Sequence, residues 1–112
     1  MEQIKGLSEF RVKIFKALGD PLRLEIIEFL RDGDKCVCEI VPYLKVVQPL
    51  VSRHLKILRD VGIVSFRKEG NRRVYAITDE RIFKVIDSLT HLEEKRHGES
   101  ESLRSSRRPI LQ

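Results

Sequence analysis

Tryptophan is absent from this 112-residue chain, and aromatic residues make up only 6% of it. Readers of single-stranded nucleic acid stack bases on exposed rings. The one ribbon-like segment here offers only Phe66 and Tyr75, both expected to pack inward. Cysteine is nearly as scarce. The two residues present, Cys36 and Cys38, are too few and too close together to form a disulfide scaffold, which fits a reducing compartment where thiols stay free. No run of about eighteen apolar residues occurs, and the opening MEQIKGLSEF has no apolar signal core. The expectation is a cytoplasmic protein with no membrane span. There is also no internal repeat, no glycine-rich cofactor loop and no triad-like grouping of catalytic side chains. An enzyme and an organic cofactor are therefore not expected.

What remains is a single small domain, read as residues 1–97, with 41% hydrophobic content. That supports a modest core and leaves helical surface in need of a partner. Residues 3–18 carry Leu7, Phe10, Ile14, Phe15 and Leu18 at helical spacing. Gly19-Asp20-Pro21 then ends one helix and starts another, with an aspartate cap and a proline in the first turn. The second helix, Leu22 to Arg31, offers Leu22, Ile26, Ile27, Phe29 and Leu30 to the core and stops at Asp32-Gly33. A third is expected at about Lys35 to Leu44, and Lys45, Val46 and Val47 join it to a fourth, a link of helix-turn-helix length.

The fourth helix begins near Gln48 and Pro49. Val51, Leu55 and Leu58, flanked by Leu50 and Val61, form its apolar stripe. Gln48, Ser52, Arg53 and Lys56 fall largely off that stripe, and their amide, hydroxyl and cationic groups suit base edges and phosphates. Val47 stands where Ser, Thr or Asp would ordinarily cap such a helix. Gly62 should stop it. Two β-rich runs follow, Ile63 to Arg67 and Val74 to Thr78, joined at Glu69-Gly70-Asn71, with Lys68, Arg72 and Arg73 at the tip. After Asp79, read as a cap, Ile82, Val85, Ile86, Leu89 and Leu92 define a last helix whose stripe has no obvious partner within the chain. Residues 98–112, rich in Ser, Glu and Arg, read as a disordered tail. Within it, Arg104, Arg107 and Arg108 are placed in solvent rather than on phosphates.

The fold class is thus mainly α with a small β-hairpin wing: a winged helix-turn-helix in the order helix, helix, helix, helix, strand, strand, helix, forming a homodimer through its first and last helices. Residues 45–77 hold eight Lys or Arg against Asp60 and Glu69, a surplus of +6 where the whole chain carries +5. Concentrating positive charge on one segment is the electrostatic footprint of a polyanion, and double-stranded DNA is the partner that such a shape fits.

In KALGDPLRLEIIEFL, CVCEI, QPLVSRHLKILRDVGIV and GNRRVYAIT the chain resembles the ArsR/SmtB family of small dimeric winged-helix repressors, over about residues 10–90. The resemblance implies a repressor of operator DNA. It marks Gln48, Ser52, Arg53 and His54 as the base- and phosphate-facing group, with Arg72 and Arg73 of the wing along a minor groove or the backbone. His54 has an alternative in local packing beside Leu55. Family members leave DNA when a metal ion, metalloid or oxidant binds, and Cys36 and Cys38 match the cysteine pair of the arsenic- and antimony-responsive branch.

Thiolates select thiophilic ions, and a helix N-terminus raises the thiolate fraction. Residues i and i+2 of a regular helix point about 200° apart, so both sulfurs are expected to reach one atom only if the first turn unwinds. Some relatives supply a third cysteine where this chain has Val41, which leaves two protein thiolates for As(III), Sb(III) or another thiophilic ion. Asp87 and His91, followed by Glu94 and His97, form a weaker second site. Zinc-responsive relatives carry a histidine where Leu89 stands, and a salt-bridged helix end is the better account. The alternatives are a redox-sensing regulator that uses the same two cysteines, a member with no inducer, a thiol enzyme, and an RNA-binding or scaffold use of the winged helix.

Overall fold

A computed structural model describes the backbone of residues 2–103 and the side chains of residues 6–96. The chain divides into two compact units, the first ending at Asp79 and the second beginning at Glu80.

The first unit runs α1 (Glu2–Leu18), α2 (Pro21–Phe29), a 3-10 turn (Leu30–Asp32), β1 (Lys35–Cys36), α3 (Val37–Leu44), α4 (Gln48–Asp60), β2 (Val64–Glu69) and β3 (Arg72–Ile77). The Asp20 carboxylate accepts from the Leu22 and Arg23 amides at 2.9 and 3.2 Å, so α2 starts where the Asp-Pro pair directs it. Ile26, Ile27, Ile40, Val51, Leu55 and Leu58 are fully buried and form the centre of the core. Each contributes about 1.5–3 kcal/mol relative to an exposed position. The helix-turn-helix link has the expected three residues, and Lys45 takes a left-handed conformation (φ 60°) to turn the chain.

At the far end of α4, Gly62 (φ 86°) allows its own amide to return to Arg59 and that of Ile63 to return to Leu58, both at 3.0 Å. This Schellman closure is open to glycine at little cost.

The sheet departs from the sequence reading. It has three strands, in the order β1-β3-β2, all antiparallel. Lys35 and Cys36, expected inside the third helix, instead pair with Tyr75 and Val74 of β3. The hairpin runs Val64↔Ile77 to Glu69↔Arg72, leaving a two-residue loop in which Gly70 (φ 63°) has positive φ and Asn71 does not. That fits glycine at the first central position of a type II′ turn.

The second unit is α5, Arg81–Leu103, beginning two residues after Asp79. It continues past Gly98, six residues into the segment expected to be a tail. Helix propagation adds a backbone bond per residue without needing apolar burial, and Glu99 and Glu101 are good helix formers. Residues 104–112, with Arg104, Arg107 and Arg108, lie outside the described residues. Val85, Leu89 and Leu92 are exposed, as are Leu7, Phe10 and Phe15 of α1. No described helix is long and apolar enough to cross a membrane.

Candidate nucleic-acid interface and thiol pair

Burying Val51, Leu55 and Leu58 fixes the rotation of α4 and leaves Gln48, Ser52, Arg53 and Lys56 exposed. On the wing Lys68, Arg72 and Arg73 are exposed too. Between helix and wing lies a groove of about 650 Å³, lined by Gln48, Ser52 and Lys56 on one side and Arg72 and Arg73 on the other. Five of the eight residues expected to face DNA are thus brought together. Arg53 and Lys68 are exposed but do not line the groove. Phe66 supports the wing from below, with the guanidinium carbons of Arg73 and Arg59 at 4.9 and 5.2 Å from its ring centre. Arginine over an aromatic face is held in place without losing its charge.

His54 is a correction. Expected among the DNA-facing residues, it is buried at 8% exposure, with Nδ1 3.0 Å from Nη1 of Arg23. A guanidinium only donates, so this nitrogen of His54 accepts. Arg23 also donates through Nε to the Ala17 carbonyl at 2.7 Å and through Nη2 to the Lys16 carbonyl at 3.3 Å. One side chain therefore ties the end of α1 and the body of α4 to α2. Asp20 lies alongside, its Oδ1 4.0 Å from His54 Nδ1. Burial alone would raise the Asp20 pKa, but hydrogen bonds from the Arg23 and Leu22 amides, with the Arg23 guanidinium nearby, bring it below the ordinary value.

The cysteines open into the same groove. Cys36 is the extended N-cap of α3 (φ −74°, ψ 151°), its amide donates to Glu39 Oε1 at 2.9 Å, and its sulfur accepts from the Cys38 amide at 2.8 Å. Because Cys36 precedes the helix, the two sulfurs meet without unwinding a turn, contrary to expectation. They are joined as a disulfide with Cα atoms 5.0 Å apart. Cys36 is buried and Cys38 exposed.

Pro42 lies four residues after Cys38 inside α3 and has no amide to return to the Cys38 carbonyl, so the turn bearing the pair is held by one backbone bond fewer. Val41, in the place of a third cysteine, lines the groove as well. Among the described residues no group of three or more His, Cys, Asp or Glu side chains is placed to hold a metal ion. His91, of the weaker second site with Asp87, faces Glu94 at 3.8 Å on an exposed stretch of α5.

Sequence reasoning missed three residues that set this geometry. Arg67 bridges Asp34, ahead of β1, and Glu69 on its own strand, both at 2.7 Å, and hydrogen bonds to those two carboxylates raise its pKa above the ordinary arginine value. Arg23 is separated from His54 by 31 positions, beyond any local pattern. Pro42 was readable directly, as a proline inside a predicted helix.

Residues 20–65 match the model of the bacterial regulatory protein arsR family. An HTH-type transcriptional regulator of Methanocaldococcus jannaschii, described as uncharacterized, is 46% identical over 85 residues, covering 75% of this chain and 96% of that protein. The arsenical resistance operon repressor of Staphylococcus xylosus is 40% identical over 76 residues, 68% of this chain and 73% of that one. Against the repressor SmtB of Mycobacterium tuberculosis the identity is 38% over 80 residues, and the chain spans only 59% of that protein's length. Among solved structures, the homodimeric winged helix-turn-helix DNA-binding domain from Mycobacterium bovis superposes with a TM-score of 0.76 at 28% identity, covering 84% of this chain and 92% of that one.

Proposed function

This chain belongs to the arsR family of bacterial regulatory proteins, transcriptional regulators rather than enzymes, and on that premise we propose a homodimeric repressor that leaves operator DNA when a thiophilic ion binds Cys36 and Cys38. Gln48, Ser52, Arg53 and Lys56 of α4 enter a major groove, and Lys68, Arg72 and Arg73 of the wing lie along phosphates. Two such helices related by a twofold axis meet successive groove faces about 34 Å apart. The exposed apolar residues of α1 and α5 supply the dimer contacts, as their exposure in one subunit suggests.

One observation carries the sensing reading: Cys36 pairs with Val74 on β3, next to Arg73, and both sulfurs open into the groove that holds the DNA-facing cations. In the reduced protein, two thiolates this close offer two ligands to As(III) or Sb(III), with the third place left to hydroxide or a small thiol. Binding replaces the Cys38 amide's contact with Cys36 and shifts β1, and with it the β3 strand that carries Arg72 and Arg73. Once the wing no longer fits the phosphates, the two half-sites cannot be held together.

The name of the Staphylococcus xylosus relative supports arsenic as the first ion to test. A second reading is favoured by the disulfide itself: oxidation joins the same two sulfurs, and an oxidised pair has no thiolate to give a metal. A fluorescence anisotropy titration of bound operator duplex with arsenite, antimonite, Zn²⁺ and peroxide separates the readings. Release by arsenite from the reduced protein, lost in the Cys36→Ser, Cys38→Ser double variant, supports the first. Release by arsenite from that double variant would remove it, and release by peroxide alone favours the second.

A further inference from the structure

We infer that Cys38 is a site of mixed-disulfide formation with a small anionic thiol, and that the adduct displaces DNA directly, by placing negative charge among the cations that hold phosphate. The inference rests on the DNA-reading assignment above and adds to it a ligand class and a mode of action. Three observations support it.

The first is which sulfur is open. Cys36 is 2% exposed and is held within the β1–β3 pairing, whereas Cys38 is exposed at the groove wall. An incoming thiolate therefore meets the Cys38 sulfur. The second is the leaving group. As the new bond to Cys38 forms, the bond between the two protein sulfurs breaks and its electron pair departs with Cys36 as a thiolate, while the attacking thiol has given its proton to solvent. No further oxidant is needed, because one disulfide is exchanged for another. The departing thiolate is stabilised where it stands, at the N-cap of α3 with the Cys38 amide 2.8 Å from its sulfur.

The third is the lining. Every charged side chain on the groove is a cation, namely Lys56, Arg59, Arg72 and Arg73. Lys56 is partly neutralised by Asp60 at 2.9 Å, and the other three keep the site positive. A groove of about 650 Å³ takes a small dicarboxylic thiol with room to spare. Once linked to Cys38, the carboxylates need diffuse nowhere, so they compete with phosphate at high effective concentration. A neutral or cationic adduct fills the same space without that competition.

The test uses the full chain in its disulfide form, treated in turn with mercaptosuccinate, 2-mercaptoethanol and cysteamine. The adduct is located by peptide mass mapping, and affinity for a duplex selected by this protein from a random pool is read by anisotropy. The expected order is a loss of about tenfold or more for mercaptosuccinate, little change for cysteamine and an intermediate value for mercaptoethanol, with the spread narrowing as salt rises. Equal losses for all three adducts, attachment at Cys36, or no adduct at all would each overturn the inference. If the untreated protein selects no duplex in either its reduced or its disulfide form, the DNA-reading assignment is what has failed. If it binds and the three adducts do not differ, only the present inference falls.

Discussion

The uncapped start of α4 can be tested by one substitution with two readouts. Val47 already has the extended backbone of an N-cap (φ −69°, ψ 150°) but offers no side-chain acceptor, and it is 69% exposed, so little packing is lost by replacing it. Pro49 has no amide, which leaves Leu50 as the main donor for a cap, and at present that amide reaches the Val47 carbonyl at 3.1 Å. With one donor available rather than two, Val47→Ser should gain about 0.5–1 kcal/mol, the lower part of the capping range. For a domain of this size that raises the melting temperature by about 2–8 °C. The comparison is made by circular dichroism at one fixed protein concentration, since dimerisation couples to melting.

Val47→Asp should stabilise the helix at least as much, because a carboxylate also favours the positive end of the helix dipole. It should nevertheless bind duplex DNA about fivefold more weakly than the serine variant at low ionic strength, by repulsion from phosphate, and the gap should close as salt is added. Failure of serine to raise the melting temperature would refute the capping argument. An aspartate variant that binds as tightly as serine would show that the start of α4 does not approach the DNA backbone.

Replacing Asp20 with alanine removes the acceptor for the Leu22 and Arg23 amides and should cost about 1 kcal/mol at neutral pH by urea denaturation. Because its folded pKa lies below the ordinary 3.8, that contribution is present above this pH and lost as pH falls through the lowered value, so the two proteins should converge in strong acid. A penalty that persists there would contradict the assignment. Gly62→Ala meets no atom within 4 Å, so its expected cost of about 1 kcal/mol comes from the backbone at φ 86° alone; an unchanged denaturation midpoint would refute this. Leu89→Glu with Leu92→Glu should convert the dimer to monomer in sedimentation equilibrium, and a dimer that survives both would place the interface elsewhere.

Local patterns made much of this fold readable in advance. The 3.6-residue stripe of α4, the Asp20-Pro21 start, the Gly62 stop and the three-residue link from Leu44 to Gln48 each depend on residues a turn apart, and each stands where expected. The misreadings share a cause. A strand as short as Lys35–Cys36 has no period of its own and exists only because β3, nearly forty residues later, offers an edge. Pairing there pulled Cys36 out of the helix, which is why the twist argument against the two sulfurs meeting did not apply. His54 was ambiguous for the same reason: an imidazole beside a core leucine suits either face until Arg23 of α2 claims it. The cations of α4 and the wing could be named individually, but not the shared groove, which only the folded sheet creates.

The Arg23 clamp has a mechanical consequence. Since one guanidinium bonds the Lys16 and Ala17 carbonyls near the end of α1 and His54 in the middle of α4, it links α4 to the helix that bears Leu7, Phe10 and Phe15. If those residues seat against a twin subunit, any change in how they seat rotates α4 by the same pin. Substitutions in α1 that never touch nucleic acid would then retune which distance between recognition elements the protein accepts.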